Sequence, residues 1–119
     1  VSEDLVAWLR VQIDEDERDA SDVHLSGCDV HTRIEGDPWP GPCDCGWPAQ
    51  ILAEVEAKRR ILDRYEEAVR RAATKPGYDA VARLETALAK VTAPELERVV
   101  RLLALPYAGR DGWREEWRP

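Results

Sequence analysis

This sequence predicts a mostly α-helical fold: a small bundle of about four helices, with an irregular segment after the first. Three observations carry the prediction. Apolar residues recur three and four apart in four separate stretches, and strand-like alternation is nearly absent. Short links join the last three of those stretches, as in an antiparallel bundle. The stretch from Ser21 to Trp47 has no period, yet it holds every Cys and His of the chain.

The first helix is expected from Ser2 to about Ala20. Ser2 is a capping residue, Glu3 and Asp4 suit the positive end of the helix dipole, and Leu5, Leu9 and Ile13, supported by Val6 and Trp8, form one apolar face. Its acidic run from Asp14 to Asp19 reads as a solvated helix end. The second helix starts at Pro48, which suits a first turn. Ile51, Val55, Leu62, Tyr65, Val69 and Ala72 follow a 4-3 rhythm broken by Lys58, with Leu52, Ile61 and Ala68 widening the stripe. Four acid-first pairs support it: Glu54 with Lys58, Glu56 with Arg60, Glu66 with Arg70 and Glu67 with Arg71. Lys75-Pro76-Gly77 stops it. A third helix is expected from Tyr78 to Val91, with Val81, Leu84, Leu88 and Val91 facing the core. Thr92 and Glu95 form a capping-box pattern that opens a fourth helix, running to Leu105, with Leu96, Val99, Val100 and Leu103 inward.

One domain accounts for all 119 residues, with 21–47 as its irregular segment and 106–119 as a C-terminal tail. No apolar run approaches the ~20 residues a membrane span needs. Glu3 and Asp4 stand where a signal peptide would be basic, and three cysteines do not close a disulfide framework, so the expected compartment is the cytoplasm. Phe, Met and Asn are missing and Arg outnumbers Lys fourteen to three, the imprint of a high-GC genome. Charge is uneven: residues 1–47 carry twelve acids and three bases, −9, against +2 for 48–75 and zero for 76–119. An acidic front third repels phosphate backbones, which disfavours nucleic acid as a partner.

His24, Cys28, His31, Cys43 and Cys45 are the constellation that could carry chemistry. Zinc takes four N or S ligands at a tetrahedral centre, and two ligand pairs joined by a loop supply them. Cys28-Asp29-Val30-His31 is one pair with a standard gap. Cys43-Asp44-Cys45 is a tighter pair, followed by Gly46, which permits a sharp turn. The expected site is a structural zinc on Cys28, His31, Cys43 and Cys45, with His24 as substitute ligand. Such a metal would order a segment whose Asp37-Pro38-Trp39-Pro40-Gly41-Pro42 run excludes helix and central strand.

Enzymatic signatures are missing. There is no phosphate-binding glycine loop and no G-x-S-x-G, and a Cys nucleophile beside His31 would lack a positioning scaffold. Helices three and four resemble a helix-turn-helix in outline, but Pro94-Glu95-Leu96-Glu97 is acidic where a recognition helix would meet DNA. In the tail, Trp113 and Trp117 lie four apart beside Arg114 and Arg118. They either pack back on the bundle or form an aromatic and Arg contact for a protein partner.

The stretches Asp4-Leu5-Val6-Ala7-Trp8-Leu9, Glu54-Val55-Glu56-Ala57-Lys58-Arg59-Arg60, Leu102 to Tyr107 and Arg114 to Pro119 resemble a small actinobacterial and actinophage family of unknown function. The resemblance covers both ends and the central helix, implies that source, and transfers no catalytic residue. The expectation is a cytoplasmic, non-enzymatic interaction or regulatory protein with a structural zinc and a protein partner. A nucleic-acid-associated regulator using the bases of helix two is the alternative, and a small metal-dependent hydrolase is the third reading.

Overall fold

Residues 2–22 and 45–119 are described by the structure, a computed structural model. Three long helices follow from the apolar stripes, and no strand occurs among the described residues. Helix α1 spans Ser2–Asp19 and tightens into a 3-10 turn at Ala20–Asp22. Leu5, Leu9 and Ile13 are fully buried, as their spacing predicts. Capping by the Ser2 side chain lies outside what is described.

Helix α2 spans Trp47–Ala73. Gly46 precedes it with a φ of 73°, in the left-handed region that costs glycine nothing, and Pro48 occupies the first turn. Val55, Leu62, Tyr65 and Ala68 are its buried residues. Lys58 does not interrupt the packing, because its ammonium leaves the stripe to reach Tyr107 Oη at 2.8 Å. Two of the four expected i,i+4 pairs form: Glu56 with Arg60, and Glu67 with Arg71 at 2.8 Å. In the other two the partners are drawn elsewhere, Lys58 to Tyr107 and Glu66 to Arg10 of α1.

The third and fourth expected helices are one. Helix α3 runs unbroken over Ala80–Ala104, with Pro94 inside it. Asp79 caps it, its carboxylate accepting from the Ala82 amide at 2.7 Å. Thr92 does not start a new helix; its hydroxyl donates to the Leu88 carbonyl at 2.8 Å, and Glu95 pairs with Arg98. Continuity has a packing cause. Ala82, Thr86, Ala89, Ala93, Leu96 and Val100 recur at 4-3-4-3-4 spacing straight across Pro94, and this row is buried or half-buried. Packing on that scale outweighs the roughly 3 kcal/mol that an interior proline costs.

Helix α1 lies antiparallel to α2, since Arg10 pairs with Asp63 and Arg59 with Asp14. The acidic end of α1 is solvated as expected at Asp14, Glu17 and Asp19, and several of its acids also pair with distant arginines. Asp14 and Glu17 clamp Arg59, which holds the Glu17 carboxyl below its ordinary range. After a 3-10 turn at Leu105–Tyr107, the tail doubles back along α1. Arg110 reaches Asp16 at 2.8 Å, the Asp111 carbonyl accepts from Trp8 Nε1 at 3.0 Å, and Arg114 reaches Asp4 at 3.1 Å. One core results, in which Leu5, Leu9, Ile13, Val55, Leu62, Val100 and Ala104 meet Tyr107 and Trp117.

Candidate functional site

The tail places Trp117 at 2% exposure and Trp113 half-buried. With Trp8 they form a triangle of rings, 5.3 Å from Trp8 to Trp117 and 5.8 Å for each other side. Arg114 and Arg118 remain exposed, Arg114 bound to Asp4 and Arg118 to Glu115. The four tail residues considered as partner contacts thus divide: the indoles serve the core and the two guanidinia face water. Arg114 also lies over the Trp117 ring at 5.3 Å.

Tyr107 anchors the tail from below. Its hydroxyl donates to Asp16 at 2.5 Å and accepts from Lys58 at 2.8 Å, while Arg110 lies 4.7 Å over its ring. Burial, reinforced by the bond to the Asp16 carboxylate, pushes its ionisation well above the ordinary tyrosine range. A phenol so satisfied is a structural clasp.

Cys45 is described, half-buried one residue before the Gly46 cap. His24, Cys28, His31 and Cys43, the remaining members of the expected zinc site, lie outside the described residues. Among the described residues no group of three or more His, Cys, Asp or Glu is arranged to hold a metal ion.

The feature sequence reasoning misplaced is on α3. Val81, Leu84, Leu88 and Val91, expected to face the core, are 67%, 58%, 57% and 69% exposed. The small row Ala82, Thr86, Ala89 and Ala93 takes the inward side instead. Larger residues dominate the periodicity, so the outer of two rows one or two positions apart reads as the core face. Among the described residues nothing covers the outward row. Beside it, α2 and α3 form an open groove of about 860 Å³ lined by Ile61, Arg64, Ala68, Glu85 and Leu96 among others, and Leu88 of the outward row also lines it.

Among the described residues, three long helices, a buried aromatic tail and an uncovered apolar helix face define a mostly helical class of protein. The chain belongs to a family of unknown function, DUF6221, whose model matches residues 2–119. No curated protein and no solved structure matches it. None of the described helices is long and apolar enough to cross a membrane.

Proposed function

We propose that this protein is a non-enzymatic interaction protein that acts by docking a protein on the outward face of α3. The observation that carries the reading is the row Val81, Leu84, Leu88 and Val91, each more than half exposed. The largest apolar patch on a monomer, typically about 300–600 Å², is often functional, and this row is of that size. Alternate a and d positions of a heptad are the pattern by which one helix recognises another. Affinity capture from an actinobacterial lysate tests it, with wild-type protein and a Leu84→Lys variant as baits. A partner retained by the first and lost by the second is expected; identical recoveries from a bait that is itself monomeric would defeat the reading.

The proposal includes a structural zinc on Cys28, His31, Cys43 and Cys45, with His24 in reserve, supported by ligand type and spacing. It would clamp the segment between α1 and α2 in a cytoplasmic protein of an actinobacterium or its phage. Native mass spectrometry of protein never exposed to chelator should show one zinc per chain. A metal-free mass would remove zinc from the proposal and leave the α3 face intact.

A further inference from the structure

We infer that the outward face of α3 pairs with the same face of a second copy of this chain, antiparallel, about a twofold axis level with Thr86. The inference rests on the interaction reading of that face and names its partner. Its basis is the order of the residues. Val81, Leu84, Leu88 and Val91 read the same from either end, valine outside and leucine inside, with spacings of three, four and three. A twofold antiparallel pairing sets Leu84 of one copy against Leu88 of the other, and Val81 against Val91. Four apolar layers form, with no large residue left opposite a polar one. A surface that is its own complement is what an isologous contact requires.

The ends of the row agree with that register. Ala80 and Ala87 line one side of it, small enough for two helices to approach closely. Glu95, the next residue along the row, falls beyond the start of the partner helix at Ala80 and stays in water. Parallel pairing would stack Glu95 on Glu95 and Arg98 on Arg98, like charges directly opposed. One flank opposes the contact: Glu85 lies a residue from the axis and meets Glu85 of the other copy at the solvent edge. Area is sufficient. The four side chains leave about 400 Å² exposed per copy, and with Ala80, Ala87 and Thr92 at the margins the pair buries on the order of 1,000 Å², the lower bound for a specific interface.

Sedimentation equilibrium on the full chain tests this, with Leu84→Lys, Leu88→Glu and Glu85→Gln as variants. All three positions are exposed, so helical circular dichroism should match wild type and report folding independently. Wild type is expected to be a dimer at micromolar concentration, and Glu85→Gln should tighten it. Each leucine variant alone should dissociate about 100-fold more readily. Mixing those two should restore dimer, because the lysine introduced in one copy then meets the glutamate introduced in the other. In a parallel pair that lysine would face an unchanged Leu84, so a mixture that stays monomeric overturns the antiparallel register. A dimer that persists in both separate variants places self-association elsewhere and also overturns the inference. Monomeric wild type overturns it too, and the lysate capture then separates the cases. A partner lost on Leu84→Lys leaves the interaction reading standing with another protein on the face. No change on Leu84→Lys defeats both readings.

Discussion

Replacing Trp117 by alanine should remove a large share of the protein's stability, although the residue lies two positions from the end of the chain. The indole is 2% exposed, so nearly all of its roughly 200–250 Å² leaves water on folding. At about 25 cal/mol per Å² that burial has a ceiling of ~5–6 kcal/mol. An unfolded chain that already shelters some apolar surface lowers the figure by about 10–40%. The expected loss is about 3–5 kcal/mol, the usual range for deleting a buried Trp. Against a total of about 5–15 kcal/mol for a domain, one substitution brings the fold close to its limit. Urea unfolding followed by far-UV circular dichroism measures it. Phenylalanine sharpens the test, since Trp117 Nε1 is buried with no hydrogen-bond partner among the described residues. Trp117→Phe keeps the ring contacts with Trp8 and Trp113 and removes an unmet donor, so its loss should be under half that of alanine. A Trp117→Ala protein within about 1 kcal/mol of wild type would refute the reasoning, because a tail that lies loose on the surface cannot hold up the core.

Four further outcomes follow from particular contacts. Gly112→Ala should lower the melting temperature, since φ there is 86° and a Cβ would stand 2.8 Å from Trp8 Nε1; an unchanged melt would show that the turn does not press on that ring. Pro94→Ala should stabilise by about 2 kcal/mol in the same denaturation assay, because it restores an interior helical N–H; a loss would mean that the ring contributes to packing. Tyr107 ionises above its ordinary value of 10.0 in the fold, so its contribution is complete below pH 10 and is lost as pH rises beyond it. Tyr107→Phe should accordingly flatten the fall in stability above pH 10, and equal slopes in both proteins would contradict the clasp to Asp16 and Lys58. Glu17 is held below its ordinary 4.5 by Arg59, so its contribution is present above that pH and disappears as pH falls below it. The stability gap between wild type and Arg59→Met should therefore close on acidification from about pH 6 to about pH 3, and a constant gap would argue for a packing role of the arginine stem alone.

Local chemistry was enough to read the helical class, the α1 face of Leu5, Leu9 and Ile13, and the body and stop of α2. Each depends on residues three or four apart and on a proline or glycine at the right end, so the information lies within one or two turns. The family resemblance was legible in the same way, from short strings at both ends and in the central helix. Three matters needed the tertiary structure. Thr92, Pro94 and Glu95 carry every local mark of a helix boundary, yet the helix runs through them, because the row from Ala82 to Val100 packs on α2 without a break. The acids Asp14, Asp16 and Glu17 read as a solvated end, and only the fold brings Arg59 and Arg110 to them from more than forty positions away. The side of α3 that is buried could not be read from α3 at all. Two rows, one of alanines and a threonine and one of valines and leucines, satisfy the same period, and hydrophobicity favours the larger. Which row turns inward is settled by packing against the rest of the fold: Thr86 and Ala89 are buried, while Val81, Leu84, Leu88 and Val91 stay exposed.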